Sequence, residues 1–321
     1  MRTTFSLLPL FLFFSLHVKA WGFYGHRMIN QYAVYLLPPD MMVLYKPHID
    51  WLSEHAVDPD KRRYAIPAEA PRHFMDMDHY RPWDSIPASW AQAVERYGAD
   101  SLEKHGLAPW WIQAMMARLT EAFAKKDLPN ILRLSADLGH YVGDIHVPLH
   151  ASSNHNGQHT GQQGIHGLWE SRLPELFALT EYDLITGKAG YIRSSSAFAW
   201  RVIRESASAA DTVLRLERQL TLSFRANSKY AFEERNGLVL RQYSAAYSRA
   251  YDNLLNGMVE RRLRASILAV AGCWYTAWVN AGQPDLKGLA QVSPGPEDKP
   301  AWDELNQRWK QGGAQGRSCS N

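Results

Sequence analysis

The chain has 321 residues, of which 46% are hydrophobic and 21% charged, enough apolar material for a full core and too much for disorder to be the default state. Its formal net charge of +3 excludes the strongly basic balance with which duplex-binding surfaces neutralise many phosphates. Two cysteines, Cys273 and Cys319, exclude a disulfide scaffold.

Residues 1–20, MRTTFSLLPLFLFFSLHVKA, combine an early arginine, an apolar run from Phe5 to Phe14 that extends through Leu16, and a small residue at Ala20. That pattern predicts an export signal cut after Ala20, since the run falls short of the roughly 20 apolar residues that span a bilayer. The expected product is exported, periplasmic or secreted, and begins at Trp21. Its formal charge is +1, because Arg2 and Lys19 leave with a segment that holds no acid. No later stretch qualifies as a transmembrane segment; the most apolar, MVERRLRASILAVAGCWYTAWV, is interrupted by Arg261, Arg262 and Arg264 and reads as a core helix.

Apolar residues recur at helical spacing in MINQYAVYLL, WWIQAMMARLTEAFA, LPNILRLSADLGHYVGD and SAAYSRAYDNLLNGMVERRLRASILAVAGCWYTAWV, whereas strand signals are weak. The predicted class is all-α, a single multi-helix domain over 21–282. Between His150 and Gly164 the polar stretch ASSNHNGQHTGQQ predicts a loop, of a length that is often functional. From Gln283 to Asn321 the chain is Pro- and Gly-rich and reads as a polar, flexible tail.

Histidine is the unusual residue, with thirteen copies crowded between His26 and His166 apart from His17 in the leader. In His140-Tyr-Val-Gly-Asp144, the histidine and the acid stand four apart and share a helix face. Pro148 should end or bend that helix, which lets His150 turn toward the same region. After the polar loop, His166-Gly-Leu-Trp-Glu170 repeats the four-residue spacing. One such pair is an ordinary stabilising pair on a helix surface. Two of them, with His150, with Asp58-Pro-Asp60 and His73, and with Trp21-Gly-Phe-Tyr-Gly-His26, fit a multinuclear zinc site, because zinc takes imidazole nitrogen and carboxylate oxygen readily.

These motifs resemble those of the superfamily that contains the bacterial zinc-dependent phospholipases C and the fungal single-strand-specific nucleases. In that superfamily the mature chain begins with a tryptophan whose amino group and carbonyl oxygen bind zinc. Trp21 matches it, and removal of the signal would create the ligand, since a peptide nitrogen does not coordinate as an amine does. The resemblance implies nine protein ligands for three zinc ions. They are Asp58, His73, His140 and Asp144 on one ion, His150, His166 and Glu170 on another, and Trp21, His26 and Asp144 on the third, with Asp144 bridging. Nine ligands leave open positions for water and substrate. Asp60 is an alternative to Asp58.

The implied activity is hydrolysis of a phosphodiester by a zinc-bridged hydroxide, which zinc makes available by lowering the pKa of water toward roughly 7, with Asp144 and Asp58 as the catalytic carboxylates. The branches divide. Trp21 to His26 and Asp58 to His73 have nuclease-like spacing, whereas HFMDMD, His-Tyr-x-Gly-Asp and Glu170 look like the phospholipases. The main expectation is a phospholipase C acting on phospholipid head groups. The alternatives are a nuclease that cuts single-stranded nucleic acid, or an inactive zinc-binding relative. No stable protein partner is inferred.

Other residues have plainer roles. His146 is expected to be a loop or supporting residue, and Asp76, Asp78 and His79 supports to the ligands or a solvated loop. His155 and His159 are expected to be exposed on the polar loop, Lys61-Arg62-Arg63 to form a solvated face, and Trp110, Trp111 and Trp200 to pack in the core. Cys273 is expected to be a buried thiol.

Overall fold

The computed structural model describes residues 22–235, 238–290 and 299–312. The helices run in the order α1 (Gly22–Val34), α2 (Pro39–Tyr45), α3 (Ile49–His55), α4 (Asp58–Arg62), α5 (Trp90–Tyr97), α6 (Ala99–His105), α7 (Ala108–Ala124), α8 (Leu128–Asp144), α9 (Ile165–Gly167), α10 (Leu173–Phe177), α11 (Ser195–Ser223), α12 (Ala245–Leu255), α13 (Met258–Asn280) and α14 (Lys299–Gln311). The all-α class expected from the periodicity is the class observed. Among the described residues no helix is long and apolar enough to cross a membrane.

Helix α8 is the axis of the domain. Its start is fixed by Asp127, whose carboxylate accepts from the Asn130 backbone N–H at 3.2 Å, satisfying a donor that the helix cannot satisfy itself. From Leu134 to Asp144 every residue is buried, because α1, α3, α7 and α13 all pack against it. Asn30 of α1 locks this arrangement by donating to the Leu52 and Ala136 carbonyls, each at 3.2 Å. A Cβ on residue 139 would sit 1.9 Å from the Asn30 Oδ1, so glycine at that position permits the approach of α1 to α8. Tyr45 of α2 meets the Ser135 hydroxyl at 2.8 Å, and the Trp274 indole of α13 donates to the Ser135 carbonyl at 3.0 Å. Cys273 lies beside Trp274, fully buried, as expected; burial pushes its thiol up from the ordinary range. Cys319 lies outside the described residues.

After Asp144 the chain turns through Ile145–Val147 into a 3-10 segment, Pro148–Ala151, which α11 crosses. Helix α11 begins at Ser194, whose hydroxyl accepts from the Ala197 N–H at 3.2 Å. Between α11 and α12 an antiparallel hairpin pairs β1 (Tyr230–Arg235) with β2 (Leu238–Tyr243) in the register Tyr230↔Tyr243. Periodicity is silent on it because much of the ribbon faces solvent: Phe232 and Val239 are exposed. The available signal is Asn236-Gly237, a pair that favours tight hairpin turns. Within the expected tail, α14 is helical and packs on α4, and the Trp309 ring lies 5.3 Å from that of Phe23. Trp302, Leu305 and Trp309 fall at spacings of three and four, an amphipathic stripe that the Pro and Gly on either side obscure.

Candidate metal centre

The site forms where four segments meet the C-terminal end of α8. Helix α1 supplies His26, the α4 turn supplies Asp60, the 3-10 segment Pro67–His73 supplies His73, and α8 supplies His140 and Asp144. The two ends of the polar loop add His150, and His166 with Glu170. All of these residues are 3% exposed or less.

Asp144 is the hub. Its Oδ2 lies 2.9 Å from His73 Nδ1 and 3.2 Å from His140 Nε2, and its Oδ1 lies 3.4 Å from His26 Nε2 and 3.8 Å from His150 Nδ1. Among the described residues every ion-pair partner of Asp144 is an imidazole. Asp60 points into the same space, with Oδ1 3.9 Å from His73 Nδ1 and 3.8 Å from His140 Nε2. On the far side Glu170 approaches His150 Nε2 at 3.3 Å and His166 Nε2 at 2.8 Å. Three sets of donor atoms are close enough to share an ion: His26, Asp60 and His140; His73, His140 and Asp144; and His150, His166 and Glu170.

The tautomers are readable, because a carbonyl oxygen only accepts. His140 Nδ1 donates to Ala56 O at 2.8 Å, His150 Nδ1 to His73 O at 2.7 Å, and His166 Nδ1 to His155 O at 3.0 Å. In each ring the Nδ1 proton is therefore fixed, and Nε2 is the nitrogen turned inward, free to give its lone pair to a metal once its own proton has left, the arrangement that orients metal-binding imidazoles. Both nitrogens of His26, both oxygens of Asp60 and Oδ1 of Asp144 make no hydrogen bond among the described residues. Buried charge without compensation is costly. Burial pulls the His140 imidazole down, yet Asp144 and Asp60 outweigh it and hold it up at about 9. Burial likewise raises Asp144, and the imidazoles of His140 and His150 overcome it and hold the carboxylate well below its usual range. His26 has less anionic support; burial and the neighbouring His140, stacked at 3.8 Å, lower it. A field that binds a proton this strongly favours a divalent cation more, so the donor set fits zinc in chemistry as well as in position.

Seven of the nine expected ligands, His26, His73, His140, Asp144, His150, His166 and Glu170, come together here. Trp21 lies outside the described residues. Asp58 does not face the cluster: its carboxylate takes His55 Nδ1 at 2.5 Å and Lys61 Nζ at 3.2 Å, and Asp60, the alternative, occupies the position expected of it. The expected solvated face at Lys61-Arg62-Arg63 is also corrected. Lys61 and Arg63 are buried on Asp58 and Asp60, and Arg62 reaches Asp137 at 2.9 Å, because α14 and α8 close over this turn.

His146 is buried and donates Nδ1 to Val142 O at 2.7 Å, with burial and Arg262 holding it down to about 3; it is a neutral support, as expected. His155 is buried as well, against the expectation of an exposed loop residue, and its carbonyl orients His166. His159 is exposed. Asp78 accepts from the Ser153 N–H at 3.0 Å, Asp76 lies 3.5 Å from His105, and His79 stacks on His105 at 3.5 Å. These three brace the loops that flank the site. Trp110 and Trp200 meet edge to face in the core, 4.9 Å apart, while Trp111 is only half-buried between Arg72 and Arg118. Sequence reasoning missed Glu69, Asp137 and Tyr141, which lie behind His73; the available signal is the four-residue spacing of Glu69 from His73 and of Asp137 from Tyr141.

An all-α domain that gathers buried histidines and carboxylates at the end of one helix defines a multinuclear metal-binding protein. The S1/P1 Nuclease family model matches residues 21–266, and the chain belongs to that family. It is accordingly a zinc-dependent hydrolase of phosphodiester bonds. No curated protein matches it significantly. Of the two substrate branches, the match supports the nuclease alternative better than the phospholipase C expectation.

Proposed function

We propose that the protein cleaves single-stranded DNA or RNA, after export and removal of residues 1–20. The observation that carries this reading is the ring of His26, His73, His140 and His150 around Asp144 in a chain matched over 21–266 by the nuclease family. Three zinc ions are proposed, held by Trp21, His26, Asp60, His73, His140, Asp144, His150, His166 and Glu170. When bound, they supply Lewis acidity toward a phosphate oxygen and a nucleophile available at neutral pH. The protein's own part is positional. Backbone carbonyls at Ala56, His73 and His155 fix three imidazoles, and Asp144 is the catalytic carboxylate that joins the two halves of the site. Asp58 fastens α3 to α4 through His55 and Lys61, and is proposed as a positioning residue instead of a catalytic one.

A polyanionic substrate suits the surroundings. Ala151 and Ser152, directly after His150, line a cavity of about 340 Å³ with Trp83, where Arg81, Arg215 and Arg218 outnumber Asp78 and Asp211. Guanidinium groups attract phosphates and aromatic faces stack bases without regard to sequence.

The test is hydrolysis by the purified mature protein of heat-denatured DNA, duplex DNA and phosphatidylcholine vesicles. Denatured DNA is expected to be cut on the order of 10²-fold faster than duplex, since exposing a duplex-bound strand costs about 1.4 kcal/mol per base-pair step and two such steps already correspond to that ratio. Head-group release from the vesicles without cleavage of denatured DNA would restore the phospholipase reading, and activity on neither would favour the inactive relative.

A further inference from the structure

We infer that Glu69 is a positioning residue for the metal centre, holding His73 in the one orientation that presents Nδ1 to Asp144 and His140. The inference rests on the zinc site proposed above. His73 differs from three other imidazoles of the cluster. His140, His150 and His166 each give Nδ1–H to a backbone carbonyl and turn Nε2 inward. His73 is reversed: Nδ1 faces Asp144 at 2.9 Å and His140 Nε2 at 3.0 Å, and Nε2 faces Glu69 Oε1 at 3.6 Å. Among the described residues Nε2 makes no hydrogen bond, and the Glu69 carboxylate stands at ion-pair distance where those three rings have a carbonyl.

Glu69 is itself immobilised. It is fully buried, and Arg72 Nη1 holds its Oε2 at 2.6 Å with Arg62 Nε at 3.4 Å. The Tyr141 hydroxyl donates to its Oε1. Arg62 in turn is clamped by Asp137 at 3.1 and 2.9 Å. Tyr141 and Asp137 are on α8, the helix of His140 and Asp144, so the network ties the 3-10 segment of His73 to the helix that carries its neighbours. A carboxylate that accepts the outer N–H of a ligand imidazole fixes the tautomer and raises the ring's basicity, and loss of such a partner costs about 10–100-fold in metal affinity.

Zinc affinity is the readout, measured on the full mature chain by chelator competition, with folding monitored by circular dichroism. Three variants separate orientation from general stability. Glu69→Ala is expected to weaken zinc binding by about 10–100-fold. Glu69→Gln keeps an acceptor oxygen but loses the charge, and is expected to be intermediate, about tenfold weaker. Asp137→Asn loosens the same network without touching His73, and is expected to lower the thermal midpoint while leaving zinc affinity within about threefold of wild type, less than any loss through a direct supporting contact. If Glu69→Ala does not fold, Glu69→Gln carries the test. Wild-type affinity in Glu69→Gln, or an equal loss in Asp137→Asn, overturns the inference. A wild-type protein that binds no zinc would instead overturn the site on which it rests.

Discussion

Asp144→Ala is expected to reduce phosphodiester hydrolysis on the order of 10³-fold or more, since several kcal/mol of transition-state stabilisation depend on the ions it helps to hold. It is also expected to lower the zinc content. Among the described residues no other side chain reaches His26, His73, His140 and His150 at once, at 3.4, 2.9, 3.2 and 3.8 Å. Alanine leaves these imidazoles without their central anion, so the pocket changes from a cation site into a cluster of neutral or mutually repelling rings. Elemental analysis beside a chromogenic phosphodiester assay checks both parts. Unchanged zinc and unchanged rate would together contradict the role given to Asp144.

The second large effect separates two carboxylates that are two residues apart. Asp60→Asn is expected to cost about 10²–10³-fold in activity, a few kcal/mol of barrier, because it neutralises the buried carboxylate proposed as a ligand, 3.8 Å from His140. Asp58→Asn is expected to retain zinc and most activity and to lower stability by about 1–3 kcal/mol, the usual cost of weakening a buried charged hydrogen bond. Denaturant unfolding with zinc analysis on both variants decides the matter. The opposite pattern, zinc lost with Asp58→Asn and kept with Asp60→Asn, would return the ligand role to Asp58.

That pair also marks where the sequence stops being legible. His140 and Asp144, or His166 and Glu170, stand four apart, and a helix turns this spacing into a shared face. Asp58 and Asp60 lie on one helical turn two residues apart, about 200° around its axis at 3.6 residues per turn. Only one of them can face the cluster, and nothing in Asp-Pro-Asp says which. The choice is made by the side chains three residues to either side, His55 and Lys61, which draw Asp58 away from the cluster. Glu69 was hidden for a related reason: among Pro67, Ala70 and Pro71 it resembles any loop acid, and its meaning appears only when α8 brings Tyr141 against it.

The fold class was legible because core helices must be apolar along one face. The hairpin was not, since an exposed ribbon buries too little to impose a pattern, and α14 was not, because the Pro and Gly on either side obscure its stripe. The substrate branch lay beyond the ligand motif for a chemical reason: a metal site sees only the phosphate, while head group or base is met by the walls around it.

The most direct measurement is a zinc titration of the mature protein after chelation, followed by cleavage of denatured DNA. Activity is expected to vanish on chelation and to return as zinc approaches about three equivalents, the number proposed for the nine ligands, which leaves open positions. Full cleavage by the metal-stripped protein, or zinc binding to saturation with no cleavage at all, would contradict the account.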